Sequence, residues 1–185
     1  YLLSVEPGQG TVNGDGMGTA VTLGAANAYN ATFIQPGFAI NPWYADNPLD
    51  STIRQESFML ALDAWVTANF TVTGSEKHYL TGFSKSGLGG AGLLFRNPSV
   101  FYAAMLWDAP FEMTDYDGTD PTNGATVGGD PAAVYGTSAN FTANYELSAA
   151  NLSGWAAPFT ASPRVWVGGY GSIKADTAAF PGTLT

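Results

Sequence analysis

Residues 78–98 read HYLTGFSKSGLGGAGLLFRNP, and this stretch restricts the possible folds more than any other part of the chain. A β-rich run is followed at once by a segment of small residues, with a single serine, Ser84, at the join. Gly87, Gly89, Gly90 and Gly92 each cost up to about 1 kcal/mol relative to alanine inside a helix. A helix that accepts four of them is explained by a backbone pressed closely against a neighbouring layer. The spacing therefore predicts a strand over 78–83, a tight turn at Ser84 and a helix over 85–96, which stops before Asn97 and Pro98.

The same alternation runs through the rest of the chain. Segments 1–5 and 19–23 have strand character and are separated by turn-rich spacers, so they read as early strands or a hairpin at a sheet edge. ATFIQ at 31–35 reads as a buried strand, stopped by Pro36 and Gly37, that empties into the aromatic loop FAINPWYADNP. A helix is signalled from Thr52 to about Asn69. Thr52 and Gln55 have the spacing of a T-x-x-Q capping box, and Phe58, Leu62, Trp65 and Val66 recur at helical intervals.

A further strand is expected at 101–107, ending in WDAPFEM, and another at 164–167. Between them lie a polar loop over 114–130 and helical character around 140–152. Strands separated by helices predict an α/β fold, a mostly parallel sheet with helices on both faces. At 185 residues the chain is long enough for one core and short for two, so residues 1–185 read as a single domain.

Charge excludes some functions. Fifteen acidic against six basic residues give a net charge of -9, which repels a phosphate backbone and argues against nucleic acid as a partner. No apolar run approaches the roughly 18–20 residues needed to cross a bilayer. The absence of cysteine removes disulfides and thiolate metal sites. N-x-[ST] sequons at Asn30, Asn69, Asn140 and Asn151, with an acidic, lysine-poor composition, lead us to expect a secreted or lumenal glycoprotein.

Two other motifs invite a ligand-binding reading. DYDGTD offers Asp115, Asp117 and Asp120 to a hard cation, but it lacks the glycine and distal glutamate of an EF-hand loop and reads as a solvated turn. NGDGMG lacks the glycine register of a dinucleotide-binding turn. No metal and no cofactor are expected.

The chemistry is carried by the turn at Ser84. A serine between a buried strand and a helix can simply cap that helix. It can also be a nucleophile, raised at the carboxyl edge of a sheet by a strained turn whose flanking residues must be small. Gly82 stands two residues before it, but Ser86 stands two after, with the glycine displaced to position 87.

The segment GFSKSGLGGAGLLFRNPSVFYAAMLWDAP resembles the elbow, helix and next strand of esterase-like proteins of the α/β-hydrolase superfamily that carry a GFSKSG motif. The S-K-x-G elbow is also similar to that of secreted α/β-hydrolase peptidases. PWYADNP, RQESFMLALDAWV, YGTSANF and PRVWVGGY extend the resemblance over roughly 31–170. It implies an α/β-hydrolase fold, Ser84 as nucleophile and the backbone N–H of Lys85 as one oxyanion donor. The second donor would come from the loop near Gly37 and Phe38.

Serine activation needs a base oriented by a carboxylate. The chain has one histidine, His78, six residues before Ser84 on the same strand and therefore about 20 Å away. The acid candidates are Asp176, after the strand at 164–167, and Asp108, after Trp107. Asp176 is favoured narrowly, although DTAAF also suits a helix N-cap and Asp108 also suits a loop-ordering role. In this fold the histidine follows the last strand. The expectation is thus a domain lacking its C-terminal strand and helix, with the histidine in a segment outside this chain or on a second chain.

The function expected is a carboxylesterase-like serine hydrolase working through an acyl-serine intermediate on a small ester substrate. The alternatives are a secreted serine peptidase acting on peptides and an inactive α/β-hydrolase-like module for binding or assembly.

Overall fold

The computed structural model describes residues 2–5, 22–70, 75–114, 116–117, 130–155 and 164–169. Strands β1 (Leu2–Val5), β2 (Phe33–Ile34), β3 (Tyr79–Phe83), β4 (Ala103–Trp107) and β5 (Val165–Gly168) form one sheet in the order β2-β1-β3-β4-β5. Every pairing is parallel. Parallel neighbours cannot be joined by a tight turn, so each connection crosses a face of the sheet.

Helices occupy these crossings: α1 (Ala25–Tyr29) before β2, α2 (Gln55–Phe70) before β3 and α3 (Lys85–Arg96) before β4. Three short helices, α4 (Pro131–Tyr135), α5 (Ser138–Asn144) and α6 (Ala149–Trp155), precede β5. From β2 onward every connection steps across the sheet in one direction, and only β1 to β2 steps the other way. With right-handed crossovers this sends α1 to one face and the remaining helices to the other, matching the two-sided arrangement expected from sequence.

Register decides which side of the sheet is dry. Leu80, Ala104 and Val165 lie abreast on β3, β4 and β5, as do Gly82, Leu106 and Val167. This row meets α2 and α3 through Met59, Leu88, Leu93 and Phe95. The opposite row, Thr81, Met105 and Trp166, is more open, and Met105 and Trp166 are both exposed.

Several expectations are corrected. Strand β1 lies between β2 and β3 and pairs with both in parallel, so it is neither a hairpin arm nor an edge. Thr22 and Leu23 are in helical and turn conformation rather than a strand, and residues 19–21 lie outside the described set. Strand β2 is two residues long, half-buried and at the sheet edge.

The capping box is absent. The hydroxyl and N–H of Thr52 donate to the Asp50 carboxylate at 2.6 and 2.9 Å, which closes a local turn. Helix α2 then starts at Gln55, and Asp46 serves its N-terminus by accepting from the Ser57 N–H at 3.1 Å. The inward face of α2 is Gln55, Met59, Asp63 and Val66, whereas Phe58 and Trp65 are exposed. Polar groups that find partners inside have displaced the two largest apolar ones.

The helical region at 140–152 is broken in two. Thr137 caps α5 by accepting from the Asn140 N–H, and the Asn151 amide donates to the Thr142 and Glu146 carbonyls across the gap. Asn140 donates to the Asp46 and Tyr135 carbonyls. Three of the four sequon asparagines are committed to backbone bonding, since the Asn69 amide also donates to the Trp65 carbonyl at 2.7 Å; Asn30 and Asn69 are exposed.

Arg96, at the end of α3, ties the helical layer together. Its Nε and Nη2 donate to Glu56 of α2 at 2.9–3.2 Å, Asn97 donates to the same carboxylate at 2.9 Å, and the guanidinium lies over the rings of Tyr145 and Trp155. The side chains of the pair are only 13% and 14% exposed. Removing one partner of such a pair strands the other, so Arg96→Met should cost about 3 kcal/mol in urea unfolding. Arg54→Met, which breaks the more exposed pair with Asp46, should cost less than about 1 kcal/mol.

Candidate active site

Ser84 joins β3 to α3 with φ 55° and ψ -125°, a backbone conformation that non-glycine residues rarely adopt. Its side chain makes no capping bond to the helix, which sets aside the reading of Ser84 as a simple N-cap. Its N–H donates to the Trp107 carbonyl of the neighbouring strand at 3.1 Å, and its carbonyl accepts from Gly87 N–H at 2.9 Å. Both bonds hold the kink.

Its neighbours must be small for a visible reason. A Cβ at position 82 would collide with the Ser86 carbonyl, and one at position 87 would collide with the Cβ of Ala109. The displaced glycine of the motif thus stands where β4 exits, and Ser86 is accommodated with its hydroxyl turned toward Tyr44. Ser86 is fully buried, with its Oγ 3.5 Å from the hydroxyl of Tyr44.

Lys85 opens α3, and its N–H belongs to the first-turn donors that a helix leaves without an intrahelical acceptor. The Lys85 side chain is buried, and that burial lowers its amine below the usual lysine range.

Asp108 is the lateral neighbour of Ser84. Phe83 and Trp107 are the last paired residues of β3 and β4, and each candidate follows immediately, on strands about 5 Å apart. Asp108 is buried, has φ 49°, and is fixed by its N–H to the Gly168 carbonyl at 2.8 Å. Asp176 lies outside the described residues.

Gly37 and Phe38 follow β2 at the same carboxyl edge. Gly37 is exposed, and the half-buried ring of Phe38 stands edge-on to Tyr44 at 5.5 Å and to Phe58 at 5.4 Å.

The loop at 41–47 is anchored by its aromatic residues. Trp43 and Tyr44 are 1% and 0% exposed, so neither offers surface to a substrate; they pin the loop to the core. Sequence reading missed the residue that holds them. Gln55 accepts from the N–H groups of Trp43 and Tyr44, both at 2.9 Å, and donates to the Asn41 carbonyl. Its periodic position with Met59, Asp63 and Val66 was the available signal, obscured by its polarity.

His78 is at the other end of β3. Its Nδ1 lies 2.8 Å from the Asp63 carboxylate, at the edge of a cleft of about 410 Å³ lined also by Lys77, Ser99, Tyr102 and Arg164. This cleft faces the amino ends of the strands and is separate from Ser84. Asp117 is exposed, while Asp115 and Asp120 lie outside the described residues. Among the described residues no group of three His, Cys, Asp or Glu could hold a metal ion, and no helix is long and apolar enough to cross a membrane.

No protein-family model and no curated protein sequence matches the chain. Solved structures do. MPT51 (FbpC1) of Mycobacterium tuberculosis aligns with TM-score 0.57 at 13% identity, over 99% of this chain and 87% of that one. FphF, a fluorophosphonate-binding serine hydrolase of Staphylococcus aureus, aligns with TM-score 0.52 at 16% identity, over 100% and 83%. An esterase from the hyperthermophilic archaeon Pyrobaculum calidifontis aligns with TM-score 0.52 at 16% identity, over 99% of this chain, which spans 60% of the esterase's length. The structural neighbours include esterases and serine hydrolases, and the fold is that of an α/β-hydrolase.

Proposed function

We propose that the chain forms the nucleophile-bearing part of a serine hydrolase that cleaves small carboxylic esters through an acyl-serine intermediate. The observation that carries this reading is Ser84, held in a conformation that costs of order 1–3 kcal/mol in a non-glycine residue, at the carboxyl edge of a parallel sheet. Its hydroxyl does no capping. The esterases among the structural neighbours support an ester over a peptide as substrate.

In this mechanism the Ser84 Oγ attacks the ester carbonyl carbon. The Lys85 N–H and an amide of the Gly37–Phe38 loop hold the developing oxyanion, a type of interaction worth about 2.7–4 kcal/mol per donor. A histidine takes the Ser84 proton and returns it to the leaving alcohol; water then repeats the sequence to release the acid. We assign this histidine to a segment outside these 185 residues, because the sole histidine here is at the far end of β3 and paired with Asp63. Asp108, buried beside Ser84, is the carboxylate we favour for orienting it, with Asp176 as the alternative. The exposed sequons at Asn30 and Asn69 suit a secreted or lumenal setting.

A second reading, a binding or assembly module without turnover, is favoured by that same commitment of His78 to Asp63. A fluorophosphonate probe separates the two. In the hydrolase reading it modifies Ser84 of the full-length protein and fails on Ser84→Ala; an unlabelled full-length protein leaves only the module. Backbone strain gives an independent check. Ser84→Gly relieves the positive φ at some entropic cost, so it should raise stability by about 1 kcal/mol in urea unfolding while abolishing labelling. A loss of stability would contradict the strained elbow.

A further inference from the structure

The hydrogen bond between Tyr44 and Ser86 joins two segments 42 residues apart, and each is unusual. Tyr44 has φ 55°, which a bulky aromatic residue adopts only when its surroundings enforce it, and it is fully buried. Its N–H is held by Gln55 Oε1. Its ring occupies the space that a side chain at position 89 would need, since a Cβ on Gly89 would run into the ring. The same ring receives the edge of Phe38.

Ser86 is fixed from the other side. Its carbonyl lies against Gly82 of β3, and its backbone belongs to the first turn of α3, directly after Lys85. Tyr44 therefore touches both segments that frame the reacting carbonyl in the mechanism above: the loop with Gly37 and Phe38, and the turn with Lys85.

We propose that Tyr44 and Ser86 form a strut that sets the spacing between these two segments, making Tyr44 a positioning residue for the oxyanion hole. The catalytic consequence rests on the serine-hydrolase reading; the mechanical link does not. The strut also accounts for the sequence departure at the elbow. Glycine would fit the backbone at position 86, but it would have no hydroxyl for Tyr44.

Two measurements on the full-length protein test this. The first is amide hydrogen exchange in the wild type, Tyr44→Phe, which keeps the ring, and Ser86→Gly, which restores the spacing G-x-S-x-G. Each variant should speed exchange by at least about threefold in both segments, 35–46 and 84–92. If each loosens only its own segment, the strut is overturned. The second is hydrolysis of p-nitrophenyl butyrate.

Tyr44→Phe and Ser86→Ala should each lower kcat about three- to tenfold with KM unchanged, the size expected for one misplaced hydrogen bond. The double variant should lose no more than either alone. Additive losses, or a raised KM with intact kcat, would show that the pair does not position the donors. Should the wild type neither turn over the ester nor react with a fluorophosphonate, the hydrolase reading fails, and hydrogen exchange alone decides whether the strut exists.

Discussion

The carboxyl edge of the sheet is organised round one backbone distortion, the positive φ at Ser84. A parallel strand must leave its ladder and reverse onto a helix within a residue or two, and a gradual turn would need room that the packed layer does not have. The reversal is held by the bond from Ser84 N–H to Trp107 and by the contact of the Ser86 carbonyl with Gly82. Once the chain turns there, α3 has to lie flat on β3 and β4. Gly87 and Gly90 then follow from the closeness of that contact, with Ala109 and Leu106 filling the space their missing side chains leave, while Gly89 makes room for Tyr44 and Gly92 for Arg96.

The second support is polar. Segment 41–50 has little regular structure, so its backbone groups need partners from elsewhere. Gln55 serves Asn41, Trp43 and Tyr44; Tyr145 accepts from the Asp46 N–H and Asn140 donates to its carbonyl. Asn47 accepts from Leu49 and Asp50 and donates to Ala133. Helix α2 and the short helices before β5 are thereby connected through a loop, and burial pushes the phenols of Tyr135 and Tyr145 to remain neutral around it. The result is a rigid frame on one flank of Ser84, built from side-chain amides rather than from a strand.

What the sequence disclosed divides along the same line. The span of α3, the strand before it and the parallel order were legible because they depend on local signals: a β-rich run, a small-residue helix, and Asn-Pro at its end. Asp108 was legible as the residue after an apolar strand. The buried face of α2 was not, since Gln55 and Asp63 are inside through distant partners, Trp43 and Tyr44 for one and His78 for the other. Hydrophobic periodicity has no way to register such pairings. The same applies to Thr52, whose capping-box spacing was overridden by an aspartate two residues away.

Among the described residues, five non-glycine residues have positive φ: Asn30, Tyr44, Ser84, Asp108 and Asp130. Asn30, Asp108 and Asp130 are of residue types that adopt this region at small cost, whereas for Ser84 and Tyr44 it is costly. Ser84 follows β3 directly and Tyr44 is bonded to the first turn of α3, which Ser84 leads into, so the costly pair meets at one edge of the sheet. Strain of this kind persists only where surrounding packing determines it, and its concentration is the reason to look for chemistry at that edge rather than in the cleft beside His78. The cleft offers volume and charge, but none of the residues lining it has a positive φ. The edge at Ser84 is where the fold has accepted a cost, and a solvated turn or a helix cap would have required none.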